Sequence, residues 1–244
     1  MPHQDGVDGV VLSNICGMNL WPGLKPRTLL IASICVVSIT ACLPPAPSAG
    51  RGERVRSVVV LGDSITWGFF GVTPGIQDPL SSRLAKRGIS LRLLGFPGDS
   101  IAAPWPGRTD WPTQLQRSVS EDNPDVVIIQ SLLFPESADQ AARADYLAKA
   151  QELIRIAQSR GAHVYLVRHQ RGFGGQAEES NIAEALQQQA AEGKGVATIP
   201  ADWWLDRCED PYIPDGFHLT ERGSECFSNA VNAAVNQLVN QQER

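Results

Sequence analysis

Histidine is scarce in this chain, clustered positive charge is absent, and the main hydrophobic run is too short to cross a membrane. Of four histidines in 244 residues, only His163, His169 and His218 lie beyond the N-terminal segment. Scattered in this way, they form no ligand cluster at a recognisable metal spacing, so metal catalysis has little support. The net charge is −5 with no run of Lys and Arg. That balance argues against a nucleic-acid partner, whose phosphates call for clustered cations. The apolar run from Thr28 to Ile39 falls short of the roughly 20 residues that a spanning helix needs. No internal repeat is visible. What is present, 43% hydrophobic and 19% charged residues, suits one ordinary globular domain with an appended segment and a sizeable core.

The scarcity of histidine narrows the choice of a catalytic base. His218 follows Asp215 by three residues in the run IPDGFHLTERG, and Ser64 stands in VVVLGDSITWG near the start of the folded region. A serine hydroxyl is a poor nucleophile until a histidine takes its proton and a third group holds that histidine in the right tautomer. Ser57 to Leu61 reads as a buried strand, after which Gly62 lets the backbone turn so that Ser64 stands at the strand's C-terminal end. Open α/β sheets place their ligands at such ends. Gly216 lets the Asp215 carboxylate fold back onto one imidazole nitrogen, leaving the other for Ser64, and Thr220 is placed to cap the next helix. The order Ser, Asp, His is that of the α/β-hydrolases. Their nucleophile elbow needs glycine two residues after the serine, however, and that position is Thr66.

The block from Gly62 to Gly68 (GDSITWG), with Asp215, His218, Leu219, Thr220 and Gly223 near the C-terminus, resembles the SGNH or GDSL-type serine hydrolases. The resemblance spans roughly Arg56 to Leu238. It implies a Ser64, His218, Asp215 triad and an esterase or lipase activity without a cofactor. It also implies that Gly98, in LLGFPGDS, offers its N–H to the oxyanion hole beside that of Ser64. The third block departs from the family. The simplest register after the strand Asp125 to Gln130 sets Leu132 on the family's glycine and Phe134 on its asparagine, so that oxyanion donor is missing. Loss of one such donor costs about 2.7–4 kcal/mol. Gln130 and Ser131 are the nearby polar candidates to replace it.

Other residues carry competing readings. A second Gly-Asp-Ser at Gly98, Asp99 and Ser100 makes Ser100 the alternative nucleophile, but only Ser64 follows the first strand and precedes Thr66 and Gly68. His163 opens a strand and reads as structural; His169 ends one and is either structural or a substrate contact. Asp63 reads as a brace for the turn and Asp110, before Trp111 and Pro112, as a helix cap. Trp67, Phe69, Phe70 and Trp105 line an acyl or sugar pocket or belong to the core.

Residues 1–41 read as a signal peptide, with 1–17 a possible overlong gene start because Met18 stands ten residues before Thr28. The sequence Ile39, Thr40, Ala41, Cys42 resembles the lipobox of bacterial lipoproteins, which implies lipidation of Cys42, an extracytoplasmic location and a membrane anchor. A plain secretory signal cut near Ala49 is the alternative. Residues 42–55 read as a Pro/Ala/Gly-rich tether. On this export reading Cys208 and Cys226 are the only unassigned cysteines, and a disulfide between them is expected, with two buried thiols as the alternative.

From 56 to 244, five apolar runs alternate with helical periodicity. The strands are expected at Ser57–Leu61, Leu91–Gly95, Val126–Gln130, Val164–Val167 and Val196–Ile199. The helices are expected near Ile76–Arg87, Trp111–Ser120, Ala138–Ser159, Ser180–Ala191 and Thr220–Gln237. Alternation of this kind predicts an α/β fold, a parallel sheet between two helical layers. The resemblance sharpens it to a three-layer α/β/α sandwich with five parallel strands, the flavodoxin-like SGNH hydrolase fold. The functional expectation is an exported serine esterase of acylated sugars, envelope polymers or lipids, with no protein partner implied. An O-acyltransferase of the same fold and a noncatalytic envelope-binding protein are the alternatives.

Overall fold

Short runs of branched apolar residues bounded by glycine, proline or acidic side chains cannot supply a helix's one-sided stripe, and they form strands buried on both faces. The structure is a computed structural model that describes residues 54–69, 71–131, 139–168 and 177–243. Cys42, the signal segment, Phe70, Leu132, Phe134 and His169 lie outside the described residues. Five of the runs become β1 (Ser57–Gly62), β4 (Ser90–Gly95), β5 (Val126–Ile129), β6 (His163–Arg168) and β7 (Ala197–Pro200). They pair in parallel in the order β4-β1-β5-β6-β7.

Alternate residues of each strand enter different cores. Val58, Val60, Val126 and Ile128 face a first core with Leu80 and Leu84 of α2 (Gln77–Ala85), Leu205 of α6 (Ala201–Leu205) and Phe227 and Val231 of α7 (Glu221–Gln242). Val59, Leu61, Val127 and Ile129 face a second core. It is closed by Trp111 and Leu115 of α3 (Trp111–Asp122), Tyr146 and Leu153 of α4 (Gln140–Gln158) and Ala183 of α5 (Ala177–Ala191). The result is a three-layer α/β/α sandwich.

From β1 the chain moves outward to β4, then returns across β1 to β5 and continues to β6 and β7. Connections leave β1 and β5 in opposite directions. The strand order thus reverses between those two, which is where an open α/β sheet leaves a crevice beyond its C-terminal ends. Ser64 is two residues beyond the end of β1 and lies at this point.

Three small elements have no counterpart in the periodicity: α1 (Ser64–Trp67) and the two-residue strands β2 (Gly68–Phe69) and β3 (Thr73–Pro74), which pair as an antiparallel hairpin. α6 is likewise a single short turn following β7. Val55, read from sequence as the last residue of the tether, is only 1% exposed and belongs to the first core. The packed domain thus begins slightly earlier than composition suggests, because proline and glycine content describes the tether but not where burial starts.

Candidate active site

The nucleophile turn is built by Asp63. It leaves β1 in an extended conformation, N-caps α1 and accepts from the Ile65 N–H at 2.9 Å, the usual way an aspartate satisfies an orphan donor at a helix start. Ser64 is thereby the first residue of α1, 4% exposed. Behind it lies Gln130, directly after β5. Its Oε1 accepts from Thr66 Oγ1 at 2.7 Å and the Asp63 N–H at 3.2 Å, and its Nε2 donates to Asp63 Oδ1 at 2.9 Å. Gly62 makes room for this network, since a Cβ there would stand 2.0 Å from Thr66 Oγ1 and 2.6 Å from Gln130 Oε1. Gly62→Ala is therefore expected to destabilise the fold by about 1–3 kcal/mol, the usual cost of overpacking a filled interior, read as a lower urea midpoint at unchanged m-value.

The base and its orienting acid come from the loop between α6 and α7. Asp215 Oδ1 accepts from the Phe217 N–H at 2.8 Å and the His218 N–H at 2.9 Å, which turns the carboxylate back over its own loop. The other oxygen, Oδ2, is 2.7 Å from His218 Nδ1, and His218 Nε2 is 3.0 Å from Ser64 Oγ. A carboxylate only accepts, so Nδ1 carries the proton and Nε2 is left to accept from the serine hydroxyl. Burial pushes the Asp215 carboxyl up, but the hydrogen bonds from the His218 ring and from the Phe217 and His218 N–H groups, with the attraction of the imidazole, outweigh it and hold the carboxyl below its ordinary range. The ring is also fixed from its faces: Phe69 stacks on it at a centroid distance of 4.1 Å and Phe217 meets it edge-on at 4.9 Å.

The loop itself is tied at several points. The Ile213 N–H donates to His218 O, Tyr212 pairs with Leu219, and the Thr220 N–H donates to Pro211 O. Thr220 caps α7 by accepting from the Gly223 N–H at 3.0 Å. A disulfide joins Cys208, just after α6, to Cys226 in α7, enclosing Asp215 and His218.

Gly98 follows β4 by three residues, and β4 pairs with β1 so that Gly95 lies beside Gly62. Gly98 and Ser64 therefore emerge from the same end of neighbouring strands. Gly98 has φ of +85°, and a Cβ on it would meet the Trp105 ring at 2.4 Å, so the position is built for glycine. The second Gly-Asp-Ser is absorbed by its own loop. The buried Asp99 carboxylate accepts from the Trp105 N–H and from Trp111 Nε1, and Ser100 Oγ exchanges hydrogen bonds with Ala103. His218 reaches Ser64 and not this serine. His163 opens β6 at the opposite end of the sheet, and Asp110 caps α3 through the Thr113 N–H.

The aromatic residues divide. Phe69 serves the histidine, Trp105 covers Gly98 while exposed, and Trp67 walls a cavity of about 860 Å³ together with Thr73, Pro74, Phe96, Pro97 and Glu221. Gln130 does not take the place suggested for it as an oxyanion donor, because it is fully buried with its amide turned onto Asp63 and Thr66. Ser131 is also buried, with its carbonyl accepting from Gln187 Nε2 at 3.1 Å. Among the described residues no group of His, Cys, Asp and Glu is arranged to hold a metal ion. The sequence reading missed Phe69 and Gln130 in these roles. The only available signal for Gln130 was a polar residue ending an apolar strand that neighbours the nucleophile's strand.

Comparison with known proteins agrees with this architecture. Similar solved structures include TesA, with 20% identity over 75% of this chain and 99% of that one at a TM-score of 0.58. The psychrotrophic esterase EstA from Pseudoalteromonas sp., in a structure inhibited by monoethylphosphonate, shows 14% identity over 76% and 99% at 0.59. A family 3 carbohydrate esterase of Clostridium thermocellum shows 17% identity over 78% and 98% at 0.55. These likenesses establish the SGNH hydrolase fold. No curated protein matches the chain by sequence. The model of the GDSL-like Lipase/Acylhydrolase family matches residues 60–226, more than half of the chain, so the protein belongs to that family of carboxylic ester hydrolases.

Proposed function

We propose that the protein is an exported, lipid-anchored serine esterase that cleaves acyl groups from a sugar, an envelope polymer or a lipid. The observation that carries the reading is the single hydrogen-bonded line from Asp215 through His218 to Ser64 Oγ, with distances of 2.7 and 3.0 Å. Ser64 Oγ attacks the ester carbonyl as His218 Nε2 takes its proton. Asp215 holds Nδ1–H and stabilises the imidazolium, and the N–H groups of Ser64 and Gly98 receive the oxyanion. Collapse of the tetrahedral intermediate breaks the carbonyl–alkoxy bond, with His218 protonating the departing alcohol. Water, deprotonated by the same nitrogen, then attacks the acyl-serine, and the carboxylic acid leaves as Ser64 regains its proton.

The cavity walled by Trp67 and Phe96 is assigned to one arm of the ester. A glycan ester is supported by the presence of a carbohydrate esterase among the fold neighbours. Export and anchoring rest on the apolar run and the lipobox-like Ile39 to Cys42.

The test pairs a fluorophosphonate probe with short and long p-nitrophenyl esters. The expected result is a covalent adduct on Ser64, absent in Ser64→Ala, and hydrolysis with a chain-length preference. Neither adduct nor hydrolysis would transfer the reading to a noncatalytic binding protein on the same scaffold. Product analysis with a sugar acceptor distinguishes acyl transfer, since a transferase yields the acylated sugar in place of free acid. Mass spectrometry of the mature N-terminus tests the anchor. An unmodified first residue downstream of Cys42 would remove it.

A further inference from the structure

The geometry points to Gln130 as a positioning residue for the nucleophile: its buried amide clamps Asp63 and Thr66, the residues on either side of Ser64 and Ile65, and so fixes where the attacking hydroxyl stands. The inference rests on the serine-esterase reading and adds a role to a residue outside the triad.

Three observations carry it. First, three of the amide's hydrogen bonds go to the nucleophile turn: Oε1 accepts from the Asp63 N–H and the Thr66 hydroxyl, and Nε2 donates to the Asp63 carboxylate. That donor pattern fixes which end of the amide is oxygen. Second, the side chain is 0% exposed and its backbone N–H is bonded to Leu61 O at 2.9 Å, so the clamp is anchored in the sheet and not in a loop. Third, Gly62 is bare where any Cβ would strike both Thr66 Oγ1 and Gln130 Oε1. The first glycine of the nucleophile block thus leaves the space through which Gln130 reaches across from β5 to the turn after β1. α1 is a single turn of four residues, too short to hold itself in place by its own helical bonds. Its position relative to His218 is therefore set by Gln130 and the Asp63 cap at its start, with the Ile76 N–H on Thr66 O and Trp67 Nε1 on Leu94 O holding its end. With the family's third-block asparagine absent from the sequence, the fully buried Gln130 supports the serine from behind.

Gln130→Glu separates this role from mere packing, because the replacement keeps the shape and the acceptor but changes the donor. A protonated glutamic acid donates to Asp63 Oδ1 as the amide does. An ionised one cannot, and it sets a second buried charge against the Asp63 carboxylate. The other titratable groups around this network are Tyr146 of α4, which feels the Asp63 charge, and His218, which faces Ser64 from the opposite side.

The experiment measures kcat and KM for a p-nitrophenyl ester across roughly pH 5 to 9, on full-length parent and variant, normalised to sites titrated with fluorophosphonate. The expected result is that the variant's kcat per titrated site falls about tenfold to a hundredfold relative to the parent as pH rises. KM should stay close to the parent value, and the gap should narrow toward acid. Superimposable kcat profiles of parent and variant overturn the proposal. If Gln130→Glu does not fold, Thr66→Val, which deletes one of the two donors to Oε1, gives the deciding measurement: a lower kcat at unchanged KM supports the clamp, and parental kcat per titrated site refutes it. Failure of the serine mechanism itself has a different signature, because there the parent activity would survive Ser64→Ala.

Discussion

Asp215→Asn lowers kcat by about ten-thousandfold while leaving the protein folded. The magnitude follows from which proton sits on which nitrogen. Asp215 Oδ2 accepts from His218 Nδ1 at 2.7 Å, and this keeps Nε2 free of a proton and able to receive one from Ser64. An amide NH₂ in the place of Oδ2 donates, so Nδ1 becomes the acceptor, the proton moves to Nε2 and the base is lost. Oδ1 remains an acceptor in the variant, and the Phe217 and His218 N–H groups keep their partner. The loop therefore survives and KM changes little. Burial pushes the parent carboxyl up, but the hydrogen bond from the His218 ring, followed by those from the Phe217 and His218 N–H groups, outweighs it and holds the carboxyl below its ordinary range. A lowered folded value means that the charge's contribution to stability is fully present above the unfolded value and is lost as pH falls through the folded one. The triad thus keeps its anion in mildly acidic solution, and the small stability gap between parent and Asn variant should close only at more acid pH. Steady-state kinetics and thermal midpoints measured against pH check both statements; a variant within tenfold of the parent would remove Asp215 from the orienting role.

What the sequence disclosed and what it hid have physical causes visible in single elements. The run Val58 to Leu61 was legible as a strand because four successive apolar residues, divided between two cores, suit only a sheet buried on both faces. The juxtaposition of Ser64, Asp215 and His218 was legible because histidine is rare and an aspartate three residues before it has few structural explanations. α1, the β2–β3 hairpin and α6 were not legible: elements of two to five residues are too short to repeat a helical period of 3.6 residues, and tertiary contacts define them. Proximity along the chain to the missing asparagine is the only signal that points to Gln130 or Ser131 as a substitute oxyanion donor. The Gln130 side-chain direction is set by the pleat of β5 and by the vacancy at Gly62, neither of which a linear sequence displays.

Replacing both Cys208 and Cys226 by serine should lower stability by about 3 kcal/mol, the loop-entropy expectation for a closed loop of this length, with the sequence separation of 18 setting the scale. The location makes the effect more than a general one. The bridge spans the loop that holds Asp215 and His218 and fastens it to the first turns of α7, at the helix whose start is also pinned by Thr220 and by the approach of Gly223 to Pro211 O. In the unfolded chain this loop is the segment whose freedom the cross-link removes. In the folded chain the Tyr212–Leu219 pairing and the Ile213 to His218 hydrogen bond persist without the bridge. The effect therefore falls mainly on unfolding, and kcat at low temperature should stay close to the parent value. Urea unfolding of the parent with and without a thiol reductant, beside the double variant, measures it: reduction should move the parent midpoint to that of the variant and leave the variant unmoved. Coincident midpoints for oxidised and reduced parent would refute a stabilising role for the bridge, because the unfolded chain would then lose no freedom through it.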